Sequence, residues 1–81
     1  MQNLAYHFAF KANNLMAQGF NYRISLTLAA SEFKKHITAI ALRKRIDNEK
    51  SHRRYYFDDG THCIFCNGIF ELHRVYNTYL N

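Results

Sequence analysis

Two turn signals in the C-terminal third constrain this chain more than any other feature. Asp58-Asp59-Gly60-Thr61 and Asn67-Gly68 each separate runs rich in aromatic and β-branched residues. Asp-Gly and Asn-Gly tolerate the positive φ that tight hairpin turns need. The flanking runs RRYYF, HCIFC and IFELHRVY therefore predict a three-stranded antiparallel meander over residues 53–76. With residues 67 and 68 as a two-residue loop, Cys66 faces Ile69, Phe65 faces Phe70, Cys63 faces Leu72 and His62 faces His73. The first turn is read as setting Phe57 against His62 and Tyr56 against Cys63. Alternation then gives one face Tyr56, Cys63, Phe65, Phe70 and Leu72. It gives the other Tyr55, Phe57, His62, Cys66 and His73. The Phe65/Phe70 face has fewer polar groups and is expected to be the core. Tyr55 and Phe57 are expected to look outward.

Upstream, Leu4, Phe8, Ala12 and Leu15 recur at helical steps and predict a helix over residues 3–17. Asn3 suits its N-cap, and Gly19 suits its C-terminal stop. Residues 20–28 carry two patterns. Strict alternation favours a strand over 20–26. Leu26, Ala30, Phe33, Ile37 and Ile40 form a helical stripe, which favours a long helix over 27–48. The helix is adopted, and Asp47-Asn48 ends it. The expected architecture is α+β: two helices, the second long and basic, packed on the C-terminal meander as one domain over residues 1–81. Phe8, Leu15, Phe33, Ile37, Ile40, Phe65, Phe70 and Leu72 are the expected core.

Charge enters the argument through its placement. Eight of the eleven basic residues lie between Lys34 and Arg54, opposed only by Asp47 and Glu49. The remainder of the chain is close to neutral. Lys34, Lys35, Arg43, Lys44, Arg45, Lys50, Arg53 and Arg54 lead directly into Tyr55 and Phe57. Cations beside aromatic rings suit phosphates and stacked bases, so these residues are the candidate nucleic-acid or partner-binding set. A solvated helix face is the bland explanation of such a run. A helix-turn-helix over residues 22–46 does not fit, because no short glycine turn divides the segment.

The two cysteines form a CxxC, Cys63 to Cys66. In a strand, residues three apart point to opposite faces, so neither a metal nor a disulfide is expected there. The alternative is a zinc knuckle using Cys63, Cys66, His73 and either His62 or His52. No second CxxC supports it, and no cofactor is expected. Glycine-rich phosphate loops, nucleophile motifs and paired carboxylate sites are absent, so the chain is not expected to be an enzyme or to bind a small-molecule substrate. The first twenty residues lack the pattern of a signal peptide, and no run reaches the length of a membrane span. A cytoplasmic binding protein without membrane contact is the expectation. Its leading function is a nucleic-acid-binding regulator. The alternative is a phage- or plasmid-type inhibitor or adaptor that docks on an acidic groove of a host protein complex. The sheet face that two helices leave uncovered also offers a route to homodimerisation.

Overall fold

Asn3 opens the first helix by accepting the Tyr6 N–H on its side-chain oxygen at 3.0 Å. The computed structural model describes residues 3–43, 52–66 and 68–77, apart from the side chains of Arg43 and Asn77. In chain order the elements are α1 (Leu4–Ala17), α2 (Tyr22–Glu32), β1 (Ile37–Arg43), β2 (His52–Phe57), β3 (Thr61–Cys66) and β4 (Ile69–Asn77). The strands form one antiparallel sheet in the order β1-β2-β3-β4. The α+β class holds, with four strands in place of three. Helix α1 packs across β2, β3 and β4, and α2 lies against α1.

The second helix departs most from expectation. Asn21 accepts the Ile24 N–H at 2.9 Å and starts α2 at Tyr22, so residues 20–26 are not a strand. The helix ends at Glu32, and residues 37–43 form β1 rather than the middle of a basic helix. Phe33, Ile37 and Ile40 share helical spacing, but Ile37-Thr38-Ala39-Ile40 is β-rich and finds a pairing partner in β2. Pairing satisfies the backbone of this segment across the sheet, which a helical stripe of three side chains does not outweigh. Ile40, expected in the core, is 54% exposed. The part of the expected helix over residues 44–48 lies outside the described residues.

The register of β2 on β3 is displaced by one residue from the expected one. Tyr55 pairs with Cys63 and Tyr56 with His62. Gly60, at φ +85°, closes a turn over Asp58–Gly60 in which its N–H donates to the Phe57 carbonyl at 3.1 Å. That turn is one residue tighter than the expected one, and a one-residue slip exchanges the two faces of a strand. Tyr55 and Phe57 therefore point into the core, each 3% exposed, and not outward. Between β3 and β4, Cys66 faces Ile69 and Phe65 faces Phe70, as the Asn-Gly spacing requires. Beyond that point β4 bulges. Cys63 pairs with Val75 and His62 with Tyr76, so four residues, 71–74, lie opposite Ile64 alone. The expected Cys63–Leu72 and His62–His73 pairs are thereby broken.

Phe8 sits at the centre of the core with no exposed surface. Its ring lies 4.7 Å from Tyr55, 5.3 Å from Phe57, 5.6 Å from Phe70 and 5.7 Å from Phe33, centroid to centroid. Four hydrogen bonds pin α1 to the sheet and its β2–β3 turn. Asp59 accepts the Leu4 N–H at 2.8 Å, and the Thr61 hydroxyl oxygen accepts the Ala5 N–H at 3.0 Å. The turn between β2 and β3 thus caps a helix more than fifty residues away. Asn13 uses both halves of its amide on the Phe70 main chain, donating to the carbonyl at 2.7 Å and accepting the N–H at 3.1 Å.

Candidate nucleic-acid interface

Because both helices occupy one face of the sheet, the side chains alternating to the other face carry no cover among the described residues. These come from all four strands: Ala39 and Ala41 on β1, His52, Arg54 and Tyr56 on β2, His62, Ile64 and Cys66 on β3, and Ile69, Glu71, Arg74 and Tyr76 on β4. Three rings form a ladder across them. His62 stacks on Tyr56 at 5.1 Å with 29° between planes, and on Tyr76 at 4.9 Å with 20°. The bulge makes this possible, because it carries Tyr76 to the position opposite His62.

Arginines border the ladder. Arg54 lies two residues from Tyr56 on β2, about 6.6 Å along the strand. Arg74 Nε donates to the Tyr76 hydroxyl at 3.4 Å, and its Nη1 lies 3.7 Å from Glu71 Oε2. Burial, with the Arg54 charge adding to it, holds the His62 imidazole below its usual pKa. The ring is therefore neutral at pH 7. A neutral imidazole with a phenol against each of its faces makes an uncharged aromatic stack, whose outer ring faces belong to Tyr56 and Tyr76, with cations at its margin.

Beside the ladder is a groove of about 220 Å³ lined by His52, Arg54, Ile64, Cys66, Ile69, Glu71 and Arg74. The 71–74 bulge forms one wall of it, β2 the other. A second hollow, lined by Ala41, Leu42, His52, Arg54 and Tyr56, continues toward β1, and His52 and Arg54 line both. Three buried nitrogens on this face have no hydrogen-bond partner among the described residues: His52 Nδ1, Arg54 Nε and His62 Nδ1.

The residues singled out from the sequence are scattered. Lys34 and Lys35 are exposed in the turn between α2 and β1. Arg43 ends β1. Lys44, Arg45 and Lys50 lie outside the described residues. Arg53 and Arg54 point to opposite faces, and only Arg54 joins the ladder's face. Tyr55 and Phe57 are core residues. Cys63 is buried on the helix side, where burial pushes its thiol up to about 12, while Cys66 lines the open groove. Cys63, Cys66, His62 and His73 therefore do not converge on a common point, and His73 pairs with Glu71 at 3.5 Å. Sequence reasoning missed Tyr56, His62, Tyr76 and Arg74 as a set. The signal was Gly60: a turn closed at that residue sets Tyr56 against His62.

Geometry defines an α+β protein whose four-stranded antiparallel sheet is covered on one face and carries an aromatic ladder on the other. Comparison with protein-family models, with curated proteins and with solved structures finds no match. No helix among the described residues is long and apolar enough to cross a membrane.

Proposed function

We propose that the chain binds single-stranded nucleic acid on the open face of its sheet and acts as a small nucleic-acid-binding regulator. One observation carries this: the Tyr56–His62–Tyr76 ladder, flanked by Arg54 and Arg74, on a face that the helices leave bare. Every base has a π-face, so stacking on rings tolerates any sequence, and the arginines supply the phosphate contacts. Flat sheets with outward aromatics suit single strands, whose bases are free to leave their own stack.

The test is fluorescence anisotropy with labelled single- and double-stranded DNA and RNA over a salt series. Single strands bind and weaken steeply with salt. Tyr56→Ala and Tyr76→Ala each remove about 1–3 kcal/mol, a loss of about 5- to 150-fold. Preference for duplex, or variants that bind as well as the parent, would defeat the proposal.

A second reading keeps a protein partner, and β1 favours it. Residues 38–42 of that strand are uncharged and exposed, and among the described residues β1 pairs with β2 alone. Lys34 and Lys35 precede the strand and Arg43 ends it. An extended segment with an apolar centre and acidic flanks matches that edge by strand addition. A second copy does not, because antiparallel self-pairing brings like charges together. Protection of the β1 amides from exchange by an acidic-flanked peptide, without change at Tyr76, would favour this reading.

A further inference from the structure

Groove and ladder share a residue. Arg74 reaches the ladder through the Tyr76 hydroxyl and lines the groove beside Glu71. Opposite it, Arg54 lines the same groove, one strand row from Tyr56. Ile64 and Ile69 add apolar surface between the two arginines. The groove opens because β4 spends four residues against one of β3, and bulges of this kind redirect side chains at functional sites. It thus has a cation on each wall and lies within one residue pair of a stacking surface.

Two side chains that line the groove hold buried nitrogens without partners among the described residues: Arg54 Nε and His52 Nδ1. A half-buried guanidinium is already partly stripped of water, which strengthens its attraction for an anion. Guanidinium also meets phosphate oxygens through two parallel N–H donors, a geometry that lysine does not offer. One carboxylate is present, that of Glu71. It is engaged by Arg74 at 3.7 Å and His73 at 3.5 Å, so it offsets part of the positive charge and tethers the Arg74 side chain.

We propose that this groove is the phosphate subsite of the nucleic-acid face: Arg54 and Arg74 clasp one phosphate of a nucleotide whose base stacks on the Tyr56–His62–Tyr76 ladder. The inference rests on the reading of the ladder given above, and it adds the position at which the backbone of the strand is held. Row spacing supports the match, since residues two apart along a strand are separated by about 6.6 Å, a distance that one nucleotide spans.

The test uses the full chain with labelled isoleucine methyls and tyrosine rings, followed by NMR. Three probes are titrated separately: inorganic phosphate, adenosine and adenosine 5′-monophosphate. Phosphate is expected to move the Ile64 and Ile69 methyls. Adenosine should move the Tyr56 and Tyr76 rings, and the monophosphate should move both sets and bind at least about tenfold tighter than adenosine. Arg54→Gln removes that tenfold preference. Arg54→Lys keeps the charge, lacks the paired donors and recovers only a minor part of it. If Arg54→Gln fails to fold, the three probes on the parent chain still decide. A monophosphate that binds no tighter than adenosine, or phosphate that leaves Ile64 and Ile69 unmoved, overturns the subsite while the ladder stands. Phosphate moving the groove with adenosine leaving the rings unmoved sinks the ladder reading and keeps the subsite.

Discussion

Asp59→Ala should be among the most destabilising changes available on the surface of this protein. The carboxylate accepts the Leu4 N–H at 2.8 Å and the Thr61 N–H at 3.0 Å, and the Thr61 hydroxyl donates to it as well. Thr61 is 4% exposed, and its oxygen in turn receives the Ala5 N–H. Removing the carboxylate unties a helix start, a turn and a buried hydroxyl together. Losing an N-cap costs about 1 kcal/mol, and hydrogen bonds to a charged group contribute about 1.5–3 kcal/mol. Water will serve the Leu4 amide in part, so the expected loss is about 2–3 kcal/mol. In a chain of this size each kcal/mol moves the melting temperature by about 4–8 °C, which gives a fall of about 10–20 °C. Acid provides the control. Burial alone would raise the Asp59 pKa, but the bonds from Leu4 and Thr61 outweigh it and hold the group below its usual value. A depressed carboxylate stabilises the fold above the unfolded pKa of about 3.9 and ceases to do so as pH falls through the folded value. Thermal melts followed by circular dichroism at pH 7 and at pH 3 or below should therefore show the gap between parent and variant narrowing in acid. A variant within 0.5 kcal/mol of the parent at pH 7, or a gap that is the same at both pH values, would refute the capping argument.

Other expectations follow from individual contacts. Asn13→Ala leaves the Phe70 N–H and carbonyl without their amide partner and should cost about 2 kcal/mol in urea denaturation; a cost under 0.5 kcal/mol would mean that water replaces Asn13 without loss. In the native chain a thiol reagent at pH 8 should find Cys66 quickly and Cys63 only after unfolding, since burial keeps the Cys63 thiol protonated with a pKa near 12; two equal rates would contradict the burial. His62 takes up its proton later in the fold than in the unfolded chain, so stability should fall as pH drops through about 6.5, and His62→Gln should lessen that fall; equal slopes between pH 5 and 7 in parent and variant would contradict this.

The sequence discloses what depends on near neighbours. Asn3 and the Leu4–Leu15 stripe place α1, and Asn67-Gly68 sets Cys66 against Ile69, because a helix period and a two-residue turn are local matters. Three features escaped because each is decided at a distance. Ile37 and Ile40 fit a helical stripe until β2 offers them a partner. The Asp58–Gly60 turn is one residue tighter than assumed, and that single step sends Tyr55 and Phe57 inward and Tyr56 outward. The β4 bulge has no sequence mark: IFELHRVY alternates well enough to read as one regular strand. The candidate site suffers most from these errors, because a ladder of rings requires every strand to be in register. Of the ten residues first assigned to binding, Arg54 alone reaches the ladder's face among the described side chains. Cations beside aromatic rings recur on the open face, but in residues other than Tyr55 and Phe57, to which the sequence pointed.

Long-range anchoring of α1 bears on how the chain folds in time. Each strand of the sheet pairs with its neighbour in sequence, and the β2–β3 and β3–β4 connections are only three and two residues long. Helix α1 finds Asp59, Thr61 and Phe70 only after the chain has returned across more than fifty residues. Contacts of high sequence separation form late and slowly. Helix α1, which precedes the strands in the chain, is thus completed after them. During synthesis its apolar stripe, with Phe8 at the centre, waits for a sheet that does not yet exist. Kinetic analysis should find the β2–β3 hairpin structured in the folding transition state and α1 docking largely after it.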